Sequence, residues 1–181
     1  KLPTDVPFNK TLDIIISNAR FIKEKYRNLE FVSLENCDNI KWGHLIKPEV
    51  ITQLINESGC EFLLDISHAY CASRWLGVSF FDYLKRLPLD KTVEIHINGW
   101  VETQNSIMCH TKINSDGYHA LEFILGYCRP SIITVEYGRH NDRLGAGVPV
   151  ISLEHINEQA KDEIEEQIYK VREICIRRNF E

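Results

Sequence analysis

What most constrains this chain is a repeat of form rather than of wording. A short apolar strand ends in a carboxylate or an imidazole and gives way to a helix, and this happens four times. The clearest case is Glu61-Phe62-Leu63-Leu64-Asp65-Ile66-Ser67-His68. Ser58-Gly59 and Asp65 bound its apolar run, which favours a buried strand over a helix segment. Asp65 then marks the strand end and His68 the next turn. An anionic oxygen and a neutral imidazole nitrogen leaving one strand end suit a divalent metal or acid/base chemistry. A capping aspartate and a satisfied histidine are the ordinary alternative.

The same form recurs at 29–36, 92–97 and 131–136, with strand ends at Glu35, His96 and Glu136. Helical spacing of apolar residues predicts helices between and around them. The first spans about 11–26, through Leu12, Ile15, Ile16, Ala19, Ile22 and Tyr26. The second starts at Pro48, carries Val50, Ile51, Leu54 and Ile55, and closes at Gly59. A third runs from the cap Ser79 to Leu87, before Pro88, and a fourth from Ser115 or Asp116 to Leu125. The last spans about 153–177, with Ile156, Ala160, Ile164, Ile168, Val171 and Ile174 along one face.

Strands and helices alternating at these lengths imply right-handed crossovers and a parallel sheet. All four strand ends then reach one edge, the carboxyl edge, where (β/α)8 barrels place their chemistry. No Gly-rich phosphate turn follows any strand, which argues against a nucleotide site. The fold class expected is α/β, parallel βα repeats forming part of a TIM (β/α)8 barrel. Residues 1–181 read as one domain. Such barrels need ~250 residues, so a 181-residue chain is expected to be the C-terminal portion, lacking the first strands. It opens at Lys1 and its only methionine is Met108, which fits an excised piece. A half-barrel with bare parallel edges would pair with itself or with a partner protein that completes the barrel.

Composition removes several classes. A net charge of −5 supplies no basic face for nucleic acid, and no apolar run approaches the ~18–20 residues of a membrane span. No signal-peptide pattern opens the chain. The six cysteines, Cys37, Cys60, Cys71, Cys109, Cys128 and Cys175, form no Cys-x-x-Cys pair and read as reduced thiols of a cytoplasmic protein.

The candidate metal ligands are Glu35, Asp65, His68, His96, His110 and Glu136. Carboxylates and imidazoles gathered at one barrel mouth suit iron, manganese or zinc, and bridging carboxylates allow more than one ion. Each residue also has an ordinary explanation. Glu35 and Glu136 would be solvated strand-end carboxylates, His96 a core imidazole on a carbonyl, and His110 a loop residue. If Asp65 faces a polar mouth, Asp65→Asn should remove metal yet leave the stability of the metal-free form little changed.

The order Glu, Asp-x-x-His, His, x-x-His, Glu on successive strands resembles the xylose-isomerase-like barrels. Within that group the wording is most similar to the multinuclear iron-dependent oxidases, the methanobactin-type oxidases that modify cysteine in ribosomal peptides. The similarity runs from Leu2-Pro3 and Asn18 through Leu34-Glu35-Asn36, Gly59-Cys60 and Leu63-Leu64-Asp65. It continues through Leu87-Pro88 and Ile95-His96-Ile97-Asn98-Gly99 to His110 and Glu136.

The resemblance implies a metal-dependent oxidoreductase with two or three irons in the complete protein, acting with O2 on a peptide or small thiol. Glu35 and Glu136 would be carboxylate ligands, with Asp65, His68, His96 and His110 completing this piece's share. Asn36 and Asn98 would support substrate or ligands; Arg139, shortly after Glu136, would orient an anionic or peptide substrate or else sit in a solvated loop. Two departures stand out. The family's Asp-x-His is Met108-Cys109-His110, and a histidine expected after Ala-Gly is Trp100. A thioether suits hard iron poorly, so either a metal position is lost or Cys109 substitutes as thiolate; a buried Met and Cys is the plainer account. Cys37, beside Glu35-Asn36, reads first as a core thiol and second as a site thiol.

Two other functions stay in play. One is a zinc- or manganese-dependent sugar isomerase, epimerase or AP-endonuclease-like barrel, although no base, sugar clamp or basic mouth is evident. The other is a non-catalytic interaction fragment.

Overall fold

Phe62, Leu64, Ile95 and Ile97 are fully buried, and they define the face on which the helices pack. They belong to two neighbouring strands, β2 (Glu61–Asp65) and β3 (Thr92–Ile97). β1 (Ser33–Glu35) flanks β2, and β6 (Ile132–Val135) flanks β3. All neighbours are parallel, in the order β1-β2-β3-β6. The computed structural model describes residues 7–104, 106–138 and 158–178.

Side chains alternate across a strand. The residues between the apolar ones, Leu63, Asp65, Glu94 and His96, therefore share the opposite face. The helical side holds one continuous cluster. Ile51 and Ile55 come from α2 (Pro48–Ser58), Ala69 and Ala72 from α3 (Ile66–Leu76) and Leu84 from α4 (Phe80–Lys85). Leu121 and Ile124 of α5 (Ser115–Ile124) and Val171 and Ile174 of α6 (Glu158–Arg177) complete it. α1 (Phe8–Lys25) makes a smaller cluster through Leu12 and Ile16 with Leu45 and Val50.

The parallel sheet and the helices stand as the sequence predicts, with local differences; residues 153–157 of the last expected helix lie outside the described residues. The first strand is only three residues long, because Leu29 N donates to Tyr26 O (2.9 Å) and extends the turn leaving α1. α3 is an added helix: Asp65 caps it, and Gly77, in the left-handed region at φ 66°, ends it. In α6, Gln167 rather than Ile168 faces inward. Gln167 is fully buried, its Oε1 accepting from Ile113 N (2.8 Å), while Ile168 is exposed.

The largest addition lies between β3 and α5. β4 (Gly99–Glu102) and β5 (Ile107–Thr111) form an antiparallel hairpin pairing Trp100 with Cys109 and Val101 with Met108. Only glycine fits position 99, since any Cβ there would collide with the Lys112 carbonyl. The hairpin carries His110 back towards the carboxyl edge of the sheet.

Candidate metal centre

Four strand ends and one hairpin converge. Asp65 lies beside His96 in the β2–β3 register, and His96 beside Thr134 of β6. Glu35 leaves β1 next to them, and Glu136 follows β6, its N donating to Ile97 O (2.9 Å). All four strand-end groups are therefore at one edge of one sheet.

Asp65 is fully buried and its carboxylate is divided between two tasks. Oδ1 accepts from His68 N (2.7 Å) and Ser67 Oγ (2.8 Å), the capping arrangement for α3. Oδ2 accepts from Asn98 Nδ2 (2.8 Å) and lies 4.0 Å from His68 Nε2. Asn36 pairs both ways with the Asp65 backbone, Oδ1 to N at 2.8 Å and Nδ2 to O at 3.0 Å, which ties the β1 and β2 ends together. The expectation that Asp65 merely faces a polar mouth is thus corrected: it is also a buried cap.

His68 Nδ1 sits between two acceptors, Asn36 O (3.0 Å) and Glu35 Oε1 (3.2 Å), so it carries the ring proton and leaves Nε2 towards Asp65. Burial alone would depress the His68 pKa. The Glu35 hydrogen bond and the charges of Asp65 and Glu35 outweigh it and lift the pKa to about 10. The same hydrogen bond holds the Glu35 carboxyl below its usual range.

His96 is arranged the other way round. Nε2 lies 3.1 Å from Glu94 Oε1, which also accepts from Thr134 Oγ1 (3.0 Å). Nδ1 is buried without a hydrogen-bond partner. It faces Glu136 Oε2 at 3.6 Å and Glu35 Oε1 at 3.8 Å. With Nε2 turned to Glu94, Nδ1 is left facing carboxylate oxygens, a position in which a cation lying between them would be held.

His110 closes the cluster. Its Nδ1 lies 3.2 Å from Glu136 Oε2, and its ring meets His68 edge-on at 5.6 Å. Among the described residues it is the one non-glycine at positive φ, 62°. The conformation is held by Asn98 Oδ1, which accepts from His110 N (2.9 Å), and by Gly138 N, which donates to His110 O (2.9 Å). A non-glycine held in the left-handed region is strain that its surroundings maintain. Burial raises the Glu136 carboxyl; His110 opposes the shift and Asp65 adds to it.

Among the described residues two three-atom ligand sets emerge, Glu35–Asp65–His68 and Asp65–His96–Glu136, each with its donor atoms within 4.8 Å of one another. Asp65 is common to both. His110 adjoins the second set through Glu136. The mixed carboxylate–imidazole donors and the unpartnered His96 Nδ1 fit a divalent transition metal.

The departures have clear locations. Trp100 is buried, stacked on Tyr70 (4.3 Å) and against Phe80 (5.6 Å). Met108 lies on the hairpin opposite Val101. Cys109 is buried with Sγ 3.2 Å from Cys71 Sγ, turned to that thiol. Cys37 packs on the apolar clusters, and burial pushes its thiol up to about 11, as a core thiol would behave. Arg139 lies outside the described residues.

Sequence reasoning missed Glu94, Thr134 and Ser67. Strand alternation held a signal for the first: residues 94, 96 and 98 share one face, so a carboxylate two residues before His96 sits beside it.

The family described as RiPP precursor modification enzyme MbnB/TglH/ChrH matches residues 4–136. A UPF0276 protein of Rhizobium meliloti (strain 1021) is 31% identical over 94 residues, 48% of this chain and 30% of that protein. A UPF0276 protein of Acaryochloris marina (strain MBIC 11017) is 33% identical over 74 residues, 41% of this chain and 25% of that protein. The matched stretches thus span under a third of either relative.

Proposed function

Because the chain belongs to the RiPP precursor modification enzyme MbnB/TglH/ChrH family, a family of metal-dependent xylose-isomerase-like barrels, we propose that Glu35, Asp65, His68, His96, His110 and Glu136 hold a multinuclear iron centre. On this reading the complete protein oxidises a ribosomal precursor peptide, or a small thiol, with O2. The observation that carries the reading is His96 Nδ1, buried, unpartnered and aimed at two carboxylates.

Bound iron would supply the electron transfer to O2 that none of these side chains can perform. The chain's own residues do the rest. Glu94, steadied by Thr134, keeps the His96 proton on Nε2 and so keeps Nδ1 free to donate. Asn36 fixes the Asp65 backbone, and Asn98 on Oδ2 with Ser67 and His68 N on Oδ1 keep its carboxylate from rotating away from the cluster. Protonated His68 balances Glu35 and Asp65 in the metal-free state and must give up its extra proton to act as a ligand. Glu136 Oε2 and His110 Nδ1, 3.2 Å apart, keep each other oriented towards the cluster.

Metal analysis of the complete protein tests the proposal. About two irons per chain, with O2 consumed when precursor peptide is added, supports it. Stoichiometric zinc or manganese would favour the isomerase or endonuclease reading, and a metal-free protein a binding role.

A further inference from the structure

We propose that Cys71 and Cys109 form a reactive dithiol, a site of reversible disulfide modification by hydroperoxides. The two sulfurs are 3.2 Å apart although 38 residues separate them in the chain. An S–S bond of about 2.05 Å needs an approach of only about 1 Å more. Both residues are buried, Cys71 on α3 and Cys109 on β5.

The pairing is built rather than incidental. Tyr70, next to Cys71, stacks on Trp100 at 4.3 Å, and Trp100 is the cross-strand partner of Cys109. One aromatic contact therefore holds the two thiol-bearing backbones together. Other buried cysteines are engaged elsewhere: Cys60 Sγ faces Ala19 O (3.9 Å) and Cys128 Sγ faces Ile124 O (3.5 Å). Burial would hide the pair from large oxidants. A small one has a route, because Cys71 lines a cavity of about 260 Å³ with Asp38, Lys41, Trp75, Ser106 and Ile107.

The chemistry balances with the hydroperoxide as oxidant. The Cys71 sulfur attacks one peroxide oxygen, the O–O bond breaks, and the thiol proton leaves with the other oxygen as water (from H2O2) or an alcohol. The Cys71 sulfenic acid is then attacked by the Cys109 sulfur. The S–O bond breaks, the S–S bond forms, and the hydroxide takes the Cys109 proton as a second water. Two thiols lose two electrons and one peroxide gains them. The bond would staple α3 to β5, the elements that carry His68 and His110.

The test is thiol counting on the complete, reduced and natively folded protein, exposed to hydrogen peroxide, alkylated and mapped by mass spectrometry. Of the six cysteines in this sequence, two should become protected, in one linked peptide pair containing Cys71 and Cys109, and a dithiol reductant should restore both. Cys109→Ser should leave Cys71 as a sulfenic acid trapped by dimedone, with no internal link. Should that variant fail to fold, the wild-type map decides alone. The proposal is overturned if both thiols stay alkylatable while peroxide oxidises methionine, if the link joins other cysteines, or if it appears only in denaturant. None of these readouts depends on bound metal, so failure here leaves the iron reading untouched.

Discussion

Glu94 Oε1 lies 3.1 Å from His96 Nε2, and the other ring nitrogen is left buried with no hydrogen-bond partner. A carboxylate behind an imidazole fixes the tautomer and raises the basicity of the nitrogen that faces forward. Replacing Glu94 with Ala should lower affinity for Fe(II) by about 10–100-fold. In the metal-free protein, 15N spectra should show the His96 proton on Nε2 in the wild type and a mixture of tautomers in the variant. A wild-type proton on Nδ1 would refute the positioning role.

The Glu35–His68 pair sets a pH dependence. The folded His68 pKa, about 10, is raised above its ordinary value, so its stabilisation is complete below ~6.5 and is lost as pH rises through about 10. Glu35 is shifted down, so its share is present above the ordinary carboxylate range and is lost as pH falls below it. The metal-free protein should therefore melt at lower temperature at pH 10 than at pH 7, and His68→Gln should flatten that difference. Metal affinity should run oppositely and rise over the same interval, since binding displaces a His68 proton. Equal slopes in wild type and variant would exclude the pair as the cause.

Asp65→Asn should destabilise the metal-free protein by about 1–3 kcal/mol. Asn98 Nδ2 donates to Asp65 Oδ2, and an amide nitrogen at either Asp65 oxygen would meet a donor: Asn98 on one side, Ser67 and His68 N on the other. Urea unfolding of chelator-treated protein measures this. Unchanged stability would show that the cap and the Asn98 contact contribute nothing.

The sequence and the structure part company in instructive places. Strand ends were legible because each is a β-branched or apolar run stopped by a polar group, and parallel topology then gathers Glu35, Asp65, His96 and Glu136 without further information. α3 was not legible because capping by Asp65 stood as an alternative to a ligand role, whereas Oδ1 caps the helix and Oδ2 is left turned to Asn98 and the cluster. The hairpin carries no Asn-Gly or Asp-Gly signal; its tightest requirement, glycine at 99, comes from the approach of the Lys112 carbonyl, a contact between residues distant in sequence. That Asp65 is shared between both ligand sets is likewise a fact of three dimensions.

His110 stores backbone strain at φ 62°. Glycine adopts this conformation freely, so His110→Gly should be more stable than His110→Ala by roughly 1 kcal/mol, while both lose metal affinity. Thermal melts of the two metal-free variants make the comparison; an alanine variant as stable as the glycine one would mean that the strain is absent.

On this reading the carboxylate–imidazole cluster exists to hold metal. The most direct measurement is an anaerobic Fe(II) titration of the complete protein near neutral pH, against His96→Ala confirmed as folded by circular dichroism. Wild type should bind about two irons saturably, and the variant should lose at least one site. Identical stoichiometry and affinity in the two proteins would contradict it.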